Sequence, residues 1–391
     1  MKAVILAAGK STRTHPLTAT RPKALLPVLN KPILEHNLDN LQGLADEVVI
    51  VIGYLGNKIQ ESLRSYRGIK ISYAVQEKQL GTGDALMRAG DFVKGKTLVM
   101  NGDDLYSRED IRACLGQYSI LAVEVDDVSQ FGAIEKKGGS LAQIREKSCS
   151  GRGIVNAGLY LIDESILKTP LKTKRHEYEL TDMVSAFAGL KDVKVIVSGG
   201  WHPIVYPWSL LDATESLIQG IRGSSDGVLE KNATVKGEVI FGEGTIVKSG
   251  AYIEGPVIIG RDCRIGPNCY IRPGTVIGNS CKVGNAVEIK NSILFDNVSV
   301  GHLSYVGDSV LGQGANLGAG TVTANLRHDN GNVHSIVKGR LTDSGRRKLG
   351  TMMGDGVHTG INTSIYPGRK IWPGQSTTPG AIVKEDITCA E

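Results

Sequence analysis

The chain has 391 residues, of which 22% are charged and only 5% are aromatic, and its 45 basic and 40 acidic residues leave a net charge of +5. This composition excludes disorder over most of the length, and such a small charge excess gives no ground for nucleic-acid binding. The 6 cysteines form no C-x-x-C pair and no apolar run is long enough for a transmembrane helix, so we expect neither a disulfide framework nor a membrane span. We therefore expect a cytoplasmic protein of two domains.

Residues 1–222 alternate between short aliphatic runs and helical patterns. Apolar residues at the spacing of one helix face occur from Ile33 to Leu41, and a last helix is expected near 209–222. The aliphatic runs predict strands at 3–6, 48–52, 98–100, 120–125 and 193–197. This alternation is typical of a Rossmann-like α/β domain with a mostly parallel sheet and helices on both faces. The Gly- and Ser-containing residues 223–227 predict a linker.

From residue 228 to 391 a six-residue period replaces the helical spacing. Each hexad predicts one short strand and a turn, and three hexads form one coil of a parallel β-helix. Small residues at a second hexad position, among them Cys263, Cys269 and Cys281, fit inside such a coil, so we interpret these cysteines as core residues and not as metal ligands. The period continues beyond residue 289 through Phe295. The large apolar positions are Val235, Phe241, Val247, Ile253, Ile259, Ile265, Ile271, Ile277, Val283 and Ile289.

The hexad pattern is interrupted from residue 326 to 349. This excursion carries six basic residues against two acidic ones. The charge agrees equally with a solvated surface loop and with a loop that binds the phosphates of CoA.

The first predicted strand leads into LAAGKSTR, residues 6–13, whose backbone N–H groups can bind phosphate. This is not a Walker A loop, because that motif needs a glycine five residues before Gly9, where Val4 stands. Together with HPL at 15–17 and RPKALLPV at 21–28, the segment resembles the signature LAAGxGTR, PLT and PKxLLP of sugar-1-phosphate nucleotidylyltransferases. Ser11 stands where that family has glycine.

Further strings continue the resemblance through residue 222: Gln76 with LGTGDA at 80–85, NGD at 101–103, FG at 131–132, EK at 146–147 and NAG at 156–158. The resemblance implies that the nucleotide contacts are Leu6, Ala8, Gly9, Gln76, Gly81 and Thr82. It implies a Mg²⁺ ligand at Asp103. It assigns the sugar contacts to Gly132, Glu146, Lys147 and Asn156.

In the implied reaction a sugar phosphate attacks the α-phosphorus of UTP or dTTP, and pyrophosphate leaves. Arg13 and Lys23 offset the charge that develops on the phosphates, and Mg²⁺ on Asp103 holds the reacting groups together. Archaeal-type members supply a second acidic ligand late in this domain, but the corresponding position is Pro203. This departure leaves open a metal held by one carboxylate with phosphates and water, or a weakened nucleotidylyl activity.

Two cations of the β-helix, Arg272 and Lys290, each follow an apolar hexad position and are three hexads apart. Since three hexads make one coil, we expect them to stack on one edge of the β-helix. With no acid between them the charges would repel each other, so we interpret the pair as a phosphate site; the alternative is two solvated surface charges.

The strings GHLSYVGD at 301–308, NLGAGT at 316–321 and TAN at 323–325 resemble the acetyltransferase half of bifunctional N-acetylglucosamine-1-phosphate uridylyltransferases. That resemblance implies a left-handed β-helix, a homotrimer and acetyl-CoA as co-substrate. His302 falls on the catalytic base, an appropriate residue because imidazole titrates near neutral pH. The substrate contacts fall on Arg272, Lys290, Tyr305, Asn316 and Asn325, and an acetyl-CoA contact falls on Ala319.

In the implied acetyl transfer, His302 takes a proton from the sugar ammonium, and the free amine attacks the thioester of acetyl-CoA. Backbone N–H groups of residues 318–320 are candidates for stabilising the oxyanion. The bacterial members have Tyr after the last Asn of the motif, whereas Leu326 stands here as in the archaeal branch, so glucosamine-1-phosphate and galactosamine-1-phosphate both stay open.

We therefore expect a two-domain enzyme that acetylates an amino-sugar phosphate and then joins it to UTP, giving a UDP-N-acetylhexosamine. One alternative is a glucose- or mannose-phosphate nucleotidylyltransferase with a regulatory β-helix. A second is an acetyltransferase with a weakened nucleotidylyl domain. A third is a regulatory subunit like those of a translation-factor exchange complex.

Overall fold

The computed structural model describes residues 1–146, 150–170, 172 and 176–388. They divide into two compact units. The first contains 1–10, 22–25 and 32–203, and the second contains 11–21, 26–31 and the chain from Ile204 onward. The final helix of the N-terminal half is part of the second unit, where the residue that follows it, Ile218, packs against Ile258 and Val276 of the repeats. The functional boundary at residue 222 and the linker stay proposals.

The elements before residue 223 alternate as strands and helices. They are β1 (Lys2–Ala7), β2 (Pro27–Val28), β3 (Lys31–Pro32), α1 (Ile33–Leu41), β4 (Glu47–Ile52), α2 (Gly56–Ser62), β5 (Lys70–Val75), α3 (Thr82–Arg88), β6 (Thr97–Asn101), α4 (Arg108–Ala113), β7 (Ser119–Val125), β8 (Gly132–Lys137), β9 (Ser140–Glu146), β10 (Gly153–Ile162), α5 (Leu180–Ala188), β11 (Lys194–Val197) and α6 (Ser209–Leu217). None of the described helices is long and apolar enough to cross a membrane.

The sheet of the first unit has the strand order β5-β4-β1-β6-β10-β7-β11-β9-β8. β1 is parallel to both β4 and β6, whereas β10 is antiparallel to β6 and β7. The predicted α/β fold is confirmed. The neighbouring strands from β5 through β6 are all parallel. The rest of the sheet is mixed, because β10 is antiparallel to both of its neighbours and β8 and β9 form a hairpin.

The first unit has a separate core on each face of this sheet. Alternate β1 residues point to opposite faces, as the two-residue period of a strand requires. Ala3 and Ile5 pack with α1, while Val4 and Leu6 pack with α3 and α5. The helices therefore cover both faces, as the sequence predicts.

The C-terminal strands are short and follow one another at nearly constant intervals. They are β12 (Ser224–Ser225), β13 (Val228–Leu229), β14 (Thr234–Lys236), β15 (Val239–Phe241), β16 (Ile246–Val247), β17 (Tyr252–Glu254), β18 (Val257–Ile259), β19 (Arg264–Ile265), β20 (Tyr270–Ile271), β21 (Thr275–Ile277), β22 (Lys282–Asn285), β23 (Glu288–Lys290), β24 (Ile293–Leu294), β25 (Ser299–His302), β26 (Tyr305–Gly307), β27 (Val310–Leu311), β28 (Asn316–Leu317), β29 (Val322–Thr323), β30 (His334–Val337), β31 (Arg340–Asp343), β32 (Met352–Met353), β33 (His358–Thr359), β34 (Ser364–Ile365), β35 (Lys370–Ile371) and β36 (Ile382–Val383).

Among β12 to β29, each strand pairs in parallel with the third strand after it, and the resulting three sheets of a β-helix continue after the excursion through β32 to β36. Ile253 lies opposite Ile271, and Ile271 lies opposite Ile289, so one coil takes three hexads here. Nine of the ten predicted apolar positions are buried in one continuous core, and Val235 packs against its end. Cys263, Cys269 and Cys281 are buried in the same core, which confirms their interpretation as packing residues.

One predicted repeat position is wrong. Leu294, not Phe295, stacks on Ile277 and enters the β-helix core. The step after Ile289 is therefore one residue shorter than a hexad, and the Phe295 ring instead carries the Arg21 guanidinium 5.1 Å from its centroid. The apolar character of both neighbours hid this shift in register.

The excursion at 326–349 contains secondary structure of its own. β30 and β31 form an antiparallel hairpin, and Leu326 bridges to Lys348 where the chain returns. β27 then pairs directly with β32, so the coil resumes on the far side of the excursion.

Candidate active sites

The loops after β1 and β6 meet at one edge of the α/β sheet. Leu6 lies opposite Asn101, and the Gly102 N–H donates to the Leu6 carbonyl at 2.8 Å. A Cβ on Gly102 would lie 2.7 Å from the Ile5 side chain, so the close approach of the two strands requires glycine there. The parallel pairing therefore brings Asp103 beside the glycine-containing loop that holds Ala8 and Gly9.

Lys23 and Asp103 form an ion pair in this region. The Lys23 Nζ lies 2.8 Å from Asp103 Oδ2 and 3.8 Å from Asp104 Oδ1, and the lysine side chain is only 10% exposed. The structure thus brings together the predicted phosphate-binding cation and the predicted metal ligand. Asp104 is a buried second carboxylate that was not predicted as a site residue, although it directly follows Asp103 in the sequence.

The donor set at this edge consists of carboxylate oxygens, which suit Mg²⁺. Among the described residues no group of three or more His, Cys, Asp or Glu side chains could hold a metal ion. Two carboxylates with substrate phosphates and water form a sufficient set, because Mg²⁺ usually keeps several non-protein ligands.

The segment that contains Pro203 lies beside this edge. Leu105 and His202 exchange two backbone hydrogen bonds, of 2.9 and 3.1 Å. Leu105 is two residues after Asp103, and His202 directly precedes Pro203, so this bridge holds the Pro203 segment beside the Asp103 loop. The proline ring offers no ligand atom. Burial lowers the pKa of the neighbouring His202 imidazole, which favours its neutral form.

The segment predicted to bind the nucleobase is held by its own hydrogen bonds. Gln76 is buried, and its Nε2 donates to the Gly81 carbonyl at 2.9 Å and to Asp84 Oδ2 at 2.8 Å. Gly81 has φ +99°, and a Cβ there would lie 2.3 Å from the Tyr178 carbonyl oxygen. Thr82 Oγ1 accepts the Leu180 N–H at 2.9 Å. Both amide hydrogens of Gln76 are therefore used within the protein, which leaves its carbonyl oxygen for a ligand.

The predicted sugar contacts lie on β8, β9 and β10. Gly132 is opposite Glu146, and a Cβ on Gly132 would lie 3.0 Å from Glu146 Oε1. Asn156 donates to the Tyr160 hydroxyl at 2.7 Å and accepts the Gly158 N–H at 2.9 Å. These bonds hold the Asn156 amide in one orientation. Lys147 lies outside the described residues.

In the second unit, Arg13 is exposed on the turn Thr12–Thr14. The preceding Ser11 has φ +49°, a left-handed conformation that costs a non-glycine residue about 1–2 kcal/mol. This conformation explains why glycine is the residue expected there. The hydroxyls of Thr14 and Thr18 donate to the Ser11 carbonyl at 2.7 and 2.9 Å and hold the turn.

Arg272 and Lys290 occupy one edge of the β-helix in successive coils, as the spacing predicts. The expectation that no acid lies between them is wrong. Arg272 pairs with Glu288 at 2.9 Å, and Lys290 pairs with Asp308 at 3.0 Å. Sequence spacing places residues along an edge but does not show which neighbours turn toward them, so mutual repulsion gives no argument for a bound phosphate.

Asp308 connects several of the predicted substrate contacts. This carboxylate is 3% exposed and accepts from Lys290 Nζ, from Asn291 Nδ2 at 2.8 Å and from Asn325 Nδ2. Asn325 Nδ2 also lies 3.1 Å from the Tyr305 hydroxyl, whose pKa is raised by burial. No role for Asp308 was predicted from the sequence, although this residue ends the GHLSYVGD string and follows Gly307, which lies one coil above Lys290.

His302 is exposed at the end of β25, before the corner that leads to Tyr305 in the next sheet. Its carbonyl accepts the Ser304 hydroxyl at 2.7 Å and the Gly320 N–H at 3.2 Å. No hydrogen-bond partner of the imidazole occurs within the part of the chain that the structure describes. The ring is therefore held by its backbone and is accessible to a ligand.

Asn316 and Ala319 follow one coil later. Asn316 is exposed, one coil above Ser299. The N–H groups of Gly318 and Gly320 are already bonded to Thr359 and His302, so of the predicted oxyanion donors only the Ala319 N–H has no partner among the described residues.

Comparison with known proteins gives matches to both halves. Residues 2–220 match the family model for nucleotidyl transferase, and residues 253–373 match the model for the GMPPB C-terminal domain. The bifunctional protein GlmU of Methanococcus maripaludis strain C5 is 39% identical over 99% of this chain and 95% of that protein. GlmU of Methanocaldococcus jannaschii is 38% identical over 99% and 96%. The bifunctional sugar-1-phosphate nucleotidylyltransferase/acetyltransferase of Sulfurisphaera tokodaii is 38% identical over 100% and 99%.

Proposed function

We propose a function from the premise that the chain belongs to the nucleotidyl transferase family and, over its full length, to the family of bifunctional GlmU-type sugar-1-phosphate nucleotidylyltransferase/acetyltransferases. The β-helix transfers acetyl from acetyl-CoA to glucosamine-1-phosphate or galactosamine-1-phosphate. The α/β unit transfers uridylyl from UTP to the N-acetylated sugar phosphate and releases pyrophosphate.

The observation that carries the acetyl-transfer half is the hydrogen-bonded set around Asp308. It holds Lys290, Asn325 and Tyr305 on one edge, and the exposed His302 precedes that edge by one corner. Lys290 binds the sugar phosphate with Arg272, and Asn316 contacts the substrate. A cation that is already paired can still bind phosphate, because a charged lysine or arginine has several N–H donors.

His302 accepts a proton from the sugar ammonium, and the amine lone pair attacks the thioester carbon. As the C–S bond breaks, the nitrogen loses its second proton, which the departing CoA thiolate takes up, and His302 returns the first proton to the solvent. The Ala319 N–H donates to the oxyanion that forms on the thioester oxygen. No covalent acetyl-enzyme is needed.

The uridylyl-transfer half uses the edge of the α/β sheet. Leu6, Ala8 and Gly9 contact the nucleotide, and the Gln76 carbonyl oxygen accepts the N3–H of uracil beside Gly81 and Thr82. Gly132, Glu146, Lys147 and Asn156 contact the sugar. Mg²⁺ held by Asp103, with Asp104 next to it, supplies charge neutralisation at the phosphates when it is bound.

Lys23 stabilises the negative charge that develops on the phosphates, and its pairing with Asp103 keeps the ammonium in place. Arg13 has the same task on the strength of its motif. A homotrimer and a cytoplasmic location are proposed from the family resemblance.

The test is a two-part assay on the full-length protein. Glucosamine-1-phosphate with acetyl-CoA should release CoA, and N-acetylglucosamine-1-phosphate with UTP and Mg²⁺ should release pyrophosphate. His302→Ala should lower CoA release by about 10²–10⁴-fold and leave pyrophosphate release unchanged. CoA release without pyrophosphate would favour the alternative that Pro203 suggests, an acetyltransferase with a disabled nucleotidylyl unit. Pyrophosphate without CoA release would contradict the assignment of His302.

A further inference from the structure

A cavity of about 830 Å³ in the second unit is lined by four cationic side chains. Lys338 comes from the hairpin turn between β30 and β31, and Arg369 and Lys370 come from the last coils of the β-helix. Lys384 follows β36. The reactions proposed above use none of these residues.

The lining has an excess of positive charge that nearby acids do not neutralise. Across the described ranges, no carboxylate lies within 4.0 Å of the charged atoms of these four cations. Arg369 donates instead to two backbone carbonyls, those of His334 at 2.9 Å and Pro367 at 3.3 Å. Glu385 and Asp386 also line the cavity, so it has four positive groups against two negative ones.

One of the cations is almost fully buried. Lys370 is 2% exposed, its Nζ donates to the Ile336 carbonyl at 2.6 Å, and it lies 5.7 Å from the centroid of the Trp208 ring. An ammonium group has three N–H donors, and the described residues accept from only one of them. Burial lowers the pKa of Lys370 to about 8, so the group stays mainly protonated at pH 7.

A buried ammonium with spare donors is unfavourable unless an acceptor reaches it. An anion inside the cavity would supply that acceptor and would bind the neighbouring cations as well. The two acids do not cancel the four cations, and Asp386 Oδ1 already accepts the Lys370 backbone N–H at 2.9 Å. The charge distribution therefore favours a multiply charged anion such as a diphosphate.

The same cavity has an apolar wall. Trp372, Ile336 and Val337 line it, and its volume is within the range of sites for small organic ligands, about 300–1,000 Å³. An aromatic ring can stack on Trp372 while the cations bind phosphate. We propose that this cavity binds a ligand that combines an aromatic base with a diphosphate, that is, a nucleoside diphosphate.

Binding should be tested by calorimetric titration of the full-length protein with UDP. The wild type should bind two UDP molecules per chain. Lys338→Ala/Lys384→Ala should weaken one of the two binding events by about tenfold or more, because phosphate loses two charged partners. Both lysines are exposed and have no partner among the described residues, so the variant should fold normally. Lys231→Ala/Lys282→Ala removes two exposed lysines of the same unit that do not line the cavity, and it should bind like the wild type.

Two further arms identify the ligand chemistry and the site. Pyrophosphate should compete with UDP at the affected site and uridine should not, because the cations bind the phosphates. Lys23→Ala should weaken UDP binding at the nucleotide site of the α/β unit and leave UDP binding in the cavity intact. One UDP per chain in the wild type, or two unchanged binding events in Lys338→Ala/Lys384→Ala, would overturn the proposal.

The consequence for catalysis rests on the proposed function. Thr12 and His15 line the cavity, and Arg13 lies on the same turn. A ligand there would hold that turn, so UDP should inhibit pyrophosphate release in a way that excess UTP does not overcome. The inhibition by UDP that excess UTP does not overcome should disappear in Lys338→Ala/Lys384→Ala. If it persisted there, the coupling between the cavity and pyrophosphate release would be contradicted. An absence of pyrophosphate release without UDP would count against the proposed function alone, since the titration still reports on the site.

Discussion

In the α/β unit, the two groups at the centre of the proposed nucleotide site, Lys23 and Asp103, are 80 residues apart in the chain. In the β-helix, Arg272 and Lys290 come to one edge because they differ by one coil. A repeating fold converts sequence spacing directly into distance, whereas an α/β fold brings residues together through the order of its strands.

The same comparison shows the limit of periodicity. The repeat places Lys290 correctly but does not show that Asp308 turns toward it, and it does not show the shortened step at Leu294. Contacts at the corners of the β-helix depend on side-chain direction, which the hexad pattern does not contain. Substitutions in each unit test this difference.

Asp308→Ala should have the largest effect and should act on the β-helix. It leaves the Lys290 ammonium, 19% exposed, without its carboxylate, and breaking such a pair costs about 3–5 kcal/mol. Urea unfolding should show this loss of unfolding free energy, and the rate of CoA release should also fall. Adding Lys290→Met should recover part of the stability, because no unpaired charge then remains. If the losses of unfolding free energy from Asp308→Ala and Lys290→Met simply added up in the double variant, a direct interaction between the two side chains would be contradicted.

Lys23→Met should act on the α/β unit alone. Loss of a buried cation at the phosphates should slow pyrophosphate release by about 10²–10³-fold, which corresponds to about 2.7–4 kcal/mol in the barrier. CoA release measured on the same preparation should stay within about twofold. The matched control is Lys94→Met, an exposed lysine of the same unit, which should leave both rates unchanged.

Gly81→Ala and Gly374→Ala compare backbone constraints in the two units. Gly374 has φ +71°, where alanine costs about 1–2 kcal/mol. Gly81 has φ +99° and ψ 174°, a backbone region that almost only glycine adopts, so alanine there costs about 1–3 kcal/mol. Only at Gly81 would the new Cβ also meet a neighbour, the Tyr178 carbonyl, so its total loss of unfolding free energy should reach about 2–3 kcal/mol. Equal losses in denaturant unfolding would show that the Tyr178 contact relaxes freely.

Pro203→Asp should have the smallest effect and should strengthen metal binding. The added carboxylate follows the Leu105–His202 bridge beside Asp103, so the Mg²⁺ concentration for half-maximal pyrophosphate release should fall by about tenfold. Pro203→Ala removes the ring without adding a ligand and should not lower it. The same shift in both variants would attribute the effect to the loss of proline.

The sequence predicts much of this molecule because two strong local patterns run through it. Of the strands in the nine-stranded sheet, the aliphatic runs coincide with β1, β4, β6, β7 and β11, whereas β5, β8, β9 and β10 were missed. β5, β8 and β9 each have several exposed or half-buried residues, so they carry a weaker apolar pattern. β10 is largely buried, but Asn156 and Gly158 interrupt its apolar run. Motif resemblance supplied the candidate residues of both sites, since spacing alone could not select Lys23 or His302 from the other charged residues.

Local periodicity predicts the two architectures and the hexad core from the amino-acid sequence, and residue order within the motifs supplies the candidate residues. The partners of the charged groups are visible only in the folded chain: Asp103 for Lys23, Asp308 for Lys290, and the Ile336 carbonyl and the Trp208 ring for Lys370. The physical reason is that a buried charge selects its neighbours through desolvation and hydrogen-bond geometry, and these terms exist only after the chain has packed.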